Sequence, residues 1–121
     1  MMQSLFRRTQ TRRRERAFAD LNARELATRL HDNRAPIMVD VRTTQEYAHD
    51  GHIAGSRLIP LSALAGRLSE LPRDLPIVCV CRSGSRSQMA AEILTQAGFG
   101  EVYNLTGGMI GWRRAGNKVS V

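Results

Sequence analysis

The sequence predicts an α/β fold of three layers, in which a mostly parallel central sheet of about five short strands carries helices on both faces. Two observations support this prediction. Short apolar runs alternate along the chain with segments of helical periodicity, and strands that are joined through helices run parallel in one sheet. A chain of 121 residues, 42% of them hydrophobic, is long enough for one domain with its own core.

The charge divides the chain into a basic tail, residues 1–17, and a nearly balanced domain, residues 18–121. The net charge is +7, and the six arginines and one glutamate of the tail contribute +5 of it. Such a segment is typically solvated; the alternatives are an anionic partner, such as a nucleic acid, a membrane surface or an acidic protein, and an organelle-targeting role. No apolar run suits a transmembrane helix or a secretory signal, so we expect a cytoplasmic protein. We also expect a monomer or a weak dimer.

The first half of the domain contains two helix starts of the same kind. Asn22 with Glu25, and Thr43 with Glu46, have the spacing of a capping box, in which each side chain bonds the other residue's backbone N–H. These pairs predict a first and a second helix. The strands predicted in this half lie at residues 18–19, 37–41 and 58–59.

The second half continues the alternation. Leucines with helical spacing predict one helix over residues 61–71. A β-branched run over 77–81 predicts a buried strand that ends at Cys81. The remaining predicted elements are a helix over 87–97, a strand over 102–105, and a last helix that follows 106–108 and is anchored in the core by Trp112.

The loop that follows the cysteine strand, residues 82–87, is suited to hold an anion. Its glycine and serines let the backbone come close to the sulfur, and its N–H groups and the next helix N-terminus can point at it. Such surroundings lower a thiol pKa from its usual value of about 8.5. The sequence therefore predicts a thiolate at Cys81, with Arg82 and Arg86 as the nearby cations.

Four stretches of the chain, in order, carry a family resemblance. They are Val39-Asp40-Val41-Arg42 with Glu46-Tyr47, Gly51-His52-Ile53-Ala54-Gly55-Ser56 with Ile59-Pro60, the loop from Cys81 to Arg86, and Thr106-Gly107-Gly108 with Trp112 and Gly116. Together they resemble the rhodanese family of sulfurtransferases over roughly residues 18–121. The resemblance implies a rhodanese-like fold.

The resemblance also implies a thiosulfate sulfurtransferase with Cys81 as the nucleophile. The thiolate would take the outer sulfur of thiosulfate, or of another persulfide donor, become a persulfide, and pass the sulfur to a thiophilic acceptor such as cyanide or a thiol. No cofactor is required, and no spacing of Cys or His suits a zinc ion. The thiol must then reach solvent and point into the loop. The substrate-binding residues implied are Arg42, Arg82, Ser83, Gly84, Ser85 and Arg86.

Several side chains have two interpretations. Arg86 either contacts the substrate or braces the loop. Asp40 ends a buried strand, where an unpaired carboxylate is costly, so it should be paired, with Arg42 as the candidate. Cys79 is expected to be a core residue rather than a resolving thiol, and His52 to organise its loop rather than to act as a base.

Two other functions compete with sulfur transfer. Cysteine-dependent phosphatases and arsenate reductases also place a cysteine in an anion-holding loop, but with five residues before the arginine. Here four residues separate Cys81 from Arg86, which leaves room for a sulfur rather than a phosphate. A persulfide carrier or regulatory binding module of a sulfur-relay system is the other alternative.

Overall fold

The computed structural model describes residues 17–121. The tail predicted over residues 1–17 therefore lies, except for Ala17, outside the described residues. Within 17–121, no helix is long and apolar enough to cross a membrane.

Strands and helices alternate along the described chain. The strands are β1 (Ala19–Leu21), β2 (Ile37–Asp40), β3 (Arg57–Leu58), β4 (Ile77–Val80) and β5 (Val102–Leu105). The helices are α1 (Ala23–Arg29), α2 (Thr44–His49), α3 (Leu61–Leu64), α4 (Ser85–Gln96) and α5 (Gly108–Arg114), with a 3₁₀ turn at Leu68–Glu70.

The five strands form one parallel sheet in the order β1-β5-β4-β2-β3. Strand β4, which precedes Cys81, lies at the centre and pairs with β2 and β5. A central strand is covered on both faces, and all four residues of β4 are buried. The predicted α/β class and five-stranded sheet are confirmed.

Two hydrophobic clusters lie on opposite faces of the sheet. One contains Cys79 and Cys81 and packs against α3 and α4 through Leu64, Ala90 and Leu94. The other, around Val78 and Val80, packs against α1 and α5, and includes Trp112. Because side chains alternate along β4, the two cysteines share the face that α4 covers.

The predicted capping boxes are both present. Asn22 and Glu25 exchange side-chain and backbone bonds at the start of α1. Thr43 and Glu46 do the same at the start of α2. Helices α1 and α2 therefore begin directly after the predicted cap residues, Asn22 and Thr43.

The helix predicted over residues 61–71 is wrong as a single element. Helix α3 ends at Leu64, and a separate 3₁₀ turn begins at Leu68, with Gly66 in the break between them. Glycine has the lowest helix propensity after proline, and here it outweighs the leucine spacing. Helix α4 also begins at Ser85, two residues before the predicted start, because Gly84 has a left-handed backbone conformation and ends the loop.

Candidate active site

The Cys81 sulfur lies in a cup of hydrogen-bond donors. Its Sγ accepts the backbone N–H of Gly84 at 3.1 Å and that of Ser87 at 3.3 Å, and Ser87 Oγ lies 3.3 Å away. Cys81 directly follows β4, and Ser87 is in the first turn of α4, so the helix N-terminus faces the sulfur. The predicted orientation of the thiol into the loop is present.

These donors determine the ionisation of the thiol. Burial raises the pKa of Cys81, but the hydroxyl of Ser87 and the N–H groups of Ser87, Gly84 and Ser83 lower it, and the resulting pKa lies below its usual value. The predicted direction is therefore correct, and the N–H groups of the loop contribute to it as predicted. Hydrogen bonds stabilise this thiolate, and Arg86 also interacts with it electrostatically.

Access to the sulfur differs from the expectation. Cys81 is 1% exposed, whereas a nucleophile was expected to reach solvent. The residues that follow it, Arg82, Ser83 and Ser85, are all exposed. The sulfur is therefore enclosed while the loop beside it is open to solvent, so a substrate can reach the sulfur only if part of its surroundings moves.

A buried polar chain continues from the sulfur into the sheet. Ser87 Oγ lies 2.5 Å from Oδ1 of Asn104, a buried residue of β5. A hydroxyl has one proton, so Ser87 donates either to Asn104 or to the sulfur, and its hydroxyl stabilises the thiolate only in the second arrangement. Asn104 is a site residue that the sequence analysis missed, because only the pairing of β4 with β5 brings it near the loop.

Arg86 is held by an acid from another element. Its Nη1 and Nη2 donate to the two carboxylate oxygens of Glu46 at 2.7 and 2.8 Å. The hydrogen bond from Arg86 lowers the pKa of Glu46 to about 2. Glu46 thus caps α2 and also fixes the start of α4, and this geometry favours the bracing role for Arg86.

Arg42 is paired in the same way, but out of solvent. Its guanidinium donates to both oxygens of Asp40 and to the carbonyl of Gly51, and both charged residues are almost completely buried. The pairing expected for Asp40 is present. The predicted contact of Arg42 with substrate stays a prediction, and its guanidinium here holds the loop that follows α2.

Two glycines allow the backbone to close around the sulfur. Gly84 has φ +116°, in the left-handed region that favours glycine. A Cβ on Gly108 would lie 2.5 Å from the carbonyl oxygens of Cys81 and Arg82. The next two N–H groups of α5, from Met109 and Ile110, donate to those same carbonyls. The start of α5 is therefore bonded to the loop, in contact too close for any side chain at position 108.

The other candidates lie as follows. Cys79 is fully buried, and burial raises its pKa to about 12, which suits a core residue. His52 stacks on Tyr47 at 3.7 Å between ring centroids, and its backbone pairs with Ser120. Arg82 extends into a cleft beside the loop that also contains Arg113, a residue the sequence analysis missed. Among the described residues, no group of three His, Cys, Asp or Glu side chains could hold a metal ion.

Comparison with known proteins gives one consistent result. Residues 22–115 match the model of the rhodanese-like domain. A sulfurtransferase of Allochromatium vinosum is 40% identical over 97 residues, which are 80% of this chain and 90% of that protein. The thiosulfate sulfurtransferase GlpE of Pseudomonas paraeruginosa is 43% identical over 91 residues, 75% of this chain and 81% of its own.

Solved structures give the same result. The crystal structure of a rhodanese-related protein from Thermoplasma volcanium superposes with a TM-score of 0.77 at 33% identity. The match covers 85% of this chain and 98% of that one. The similarity therefore extends over most of this chain and almost all of that protein.

Proposed function

Because this chain belongs to the rhodanese family, we propose that it is a sulfurtransferase that takes a sulfane sulfur from thiosulfate onto Cys81 and passes it to a thiophilic acceptor. The relatives named sulfurtransferase and thiosulfate sulfurtransferase support the reaction and the donor. The observation that carries the proposal is the set of donors from Gly84 and Ser87 that converge on the Cys81 sulfur.

The first half of the reaction needs a nucleophile and a leaving group. The Cys81 thiolate attacks the outer sulfur of thiosulfate, the S–S bond of thiosulfate breaks, and its electron pair leaves with sulfite. Cys81 becomes a persulfide anion. Because the thiolate is already stabilised by N–H and O–H donors, the step requires no general base.

The same donors serve the persulfide. Its negative charge lies on the outer sulfur, one bond length farther into the loop, where the N–H groups at the start of α4 point. Donors that already point at the sulfur are placed to stabilise that charge. In the second half, the acceptor attacks this outer sulfur and Cys81 returns to the thiolate.

The substrate's charges require cations that are free to meet them. Arg86 and Arg42 are occupied by Glu46 and Asp40. Arg82 is exposed and adjacent to the nucleophile. We assign thiosulfate binding to Arg82 together with the backbone of Ser83, Gly84 and Ser85, and a supporting role to the two paired arginines.

Mass spectrometry after incubation with thiosulfate tests the proposal. The wild-type protein should gain one sulfur on Cys81, Cys81→Ser should gain none, and the matched variant Cys79→Ser should behave as wild type. Equal loss in both variants would indicate a dithiol mechanism instead. Hydrolysis of an aryl phosphate without persulfide formation would favour the phosphatase alternative, and a persulfide that cyanide does not remove would favour a carrier.

A further inference from the structure

A second cleft, of about 290 Å³, lies on the β1 side of the Cys81 loop. Its lining includes residues 83–85 of the loop, Asp20 of β1 and Asn104 of β5. Asn104 is only 5% exposed, and its backbone pairs with β1 on one side and with β4 on the other. Because its side chain also contacts Ser87, which lies beside the Cys81 sulfur, Asn104 connects this cleft with the buried thiol.

The two ends of the Asn104 carboxamide lie in different surroundings. Its Oδ1 faces Ser87 Oγ at 2.5 Å, whereas its Nδ2 has no hydrogen-bond partner among residues 17–121. Every buried side-chain nitrogen or oxygen of these residues has a partner, so Nδ2 is not itself buried. The carboxamide therefore presents its oxygen to Ser87 and its nitrogen to the solvent of the cleft.

This orientation of the carboxamide suits the neutral thiol. Ser87 Oγ has one proton and two lone pairs, and it lies between Cys81 Sγ and Asn104 Oδ1. When Cys81 is a thiol, its S–H donates to Oγ and the hydroxyl donates to Oδ1. When Cys81 is a thiolate, the hydroxyl donates to the sulfur, and two acceptor oxygens then face each other with no proton between them. The carboxamide as it stands therefore opposes the charged form.

A half-turn of the carboxamide removes this conflict. The oxygen and nitrogen of an asparagine side chain are nearly equal in size and exchange places on such a turn. Nδ2 then donates to Ser87 Oγ, and Oδ1 accepts a hydrogen bond from water in the cleft. The backbone of Asn104 does not move, because the sheet holds it on both sides. Each ionisation state of Cys81 thus has an orientation of Asn104 in which every polar group is satisfied.

We propose that Asn104 is a positioning residue that acts through Ser87: its carboxamide turns over when Cys81 ionises, which frees the Ser87 hydroxyl to donate to the thiolate. The thiol proton leaves to solvent, and the Ser87 proton stays on Oγ throughout. The use of this turn rests on the proposed function, in which Cys81 alternates between a thiolate and a persulfide. Once the charge has moved to the outer sulfur, the carboxamide turns back and the hydroxyl donates to Oδ1 again.

NMR of the wild-type protein tests the turn directly. Nuclear Overhauser contacts between the Asn104 Nδ2 protons and the Ser87 Hβ protons should be weak below the pKa of Cys81 and strong above it. The Nδ2 signals should titrate with the same midpoint as the alkylation of Cys81 by iodoacetamide. In Cys81→Ser the pH should leave these signals unchanged. Contacts of equal strength on both sides of the midpoint, or a titration that persists in Cys81→Ser, would overturn the proposal.

The elements around this network carry other ionisable groups. They are Asp20 of β1, Asp40 at the end of β2 and Arg42 after it, Cys79 of β4, Arg82 of the loop and Arg86 of α4. Asp20 lines the same cleft, so Asp20→Asn is the control for its charge. In this variant the Nδ2 signals should still follow the ionisation of Cys81. Loss of their titration in Asp20→Asn would assign it to Asp20 and overturn the proposal.

The sign of a pKa change tests the direction of donation. Asn104→Leu removes the carboxamide at similar size. A carboxamide that turns over donates to Ser87 in the thiolate state, and this bond belongs to a chain that ends on an anion, so its loss should raise the pKa of Cys81 by about half a unit. A carboxamide fixed with Oδ1 towards Ser87 would hold the hydroxyl away from the sulfur. Its removal would then lower the pKa, and a lowered or unchanged pKa would overturn the proposal.

Gln88→Leu supplies the matched control. Gln88 is an exposed amide that lines the same cleft, and its side chain makes no hydrogen bond to Ser87. Its replacement should leave the pKa of Cys81 unchanged, and a rise equal to that of Asn104→Leu would overturn the proposal. If Asn104→Leu does not fold, the wild-type NMR titration still decides. Failure to form a persulfide with thiosulfate would count against the proposed function alone, because these titrations contain no sulfur donor.

Discussion

Replacing Ser87 by alanine should raise the pKa of Cys81 by about one unit. The variant removes the hydroxyl 3.3 Å from Sγ and keeps the backbone N–H of residue 87. A hydrogen bond to a charged acceptor contributes about 1.5–3 kcal/mol, and one to a neutral partner about 0.5–1.5 kcal/mol. The Ser87 hydroxyl should therefore stabilise the thiolate by about 1–1.5 kcal/mol more than it stabilises the thiol. This difference corresponds to about one pKa unit.

The pH dependence of alkylation by iodoacetamide measures this pKa. The second cysteine does not interfere, since burial raises the pKa of Cys79 to about 12. Ser87→Thr keeps a hydroxyl and is the matched variant, which should titrate close to wild type. Urea unfolding must accompany the titration, because Ser87→Ala also removes the buried hydroxyl that lies next to Asn104 Oδ1.

Two results would refute this reasoning. An unchanged pKa in a folded Ser87→Ala variant would mean that the backbone N–H groups alone stabilise the thiolate. A lowered pKa would mean that burial of the Ser87 hydroxyl costs more than its hydrogen bond contributes.

Two further predictions concern the supports of the loop. Arg86 holds the pKa of Glu46 at about 2, below its unfolded value, so this pair stabilises the fold above about pH 4 and the contribution is lost as the pH falls towards 2. In Glu46→Gln, the free energy of unfolding in urea should change less between about pH 4 and pH 2 than in wild type. An unchanged pH dependence in this range would contradict the stabilising role of the pair. Gly108→Ala should greatly reduce persulfide formation, because its Cβ would lie 2.5 Å from the Cys81 carbonyl, whereas Gly100→Ala, with no atom within 4 Å of its Cβ, should be active; equal activities would contradict the close contact.

The parts of this protein that the sequence predicts correctly are those set by neighbours along the chain. The capping boxes at Asn22 and Thr43 are complete within four residues, and both are present. The loop after Cys81 is also local, since the strand end, the glycine and the helix start follow one another directly. The prediction of one helix over 61–71 is wrong for a local reason too, because Gly66 interrupts the helix despite the helical spacing of the leucines around it.

The parts that the sequence does not predict are those brought together by the order of strands. Asn104 reaches Ser87 because β5 lies beside β4, and Glu46 reaches Arg86 across 40 positions of sequence. The role of Gly108 becomes clear only when the carbonyls it faces are located. The sequence gives no signal for Arg113, since it is one of two adjacent arginines at the end of a helix and only the folded structure shows that it lines the cleft beside the Cys81 loop.

The arginines around the site divide into two kinds, those that are paired with a carboxylate and those that are not. Arg42 and Arg86 each form an ion pair with a carboxylate, Asp40 and Glu46 respectively, and these pairs hold the surrounding backbone in place. Arg82 and Arg113 have no such partner among the described residues and keep their charge for a ligand. Because the thiolate is stabilised by N–H and O–H donors, the free cations need not balance it. They therefore remain available for an anionic ligand, such as the thiosulfate that we propose as sulfur donor.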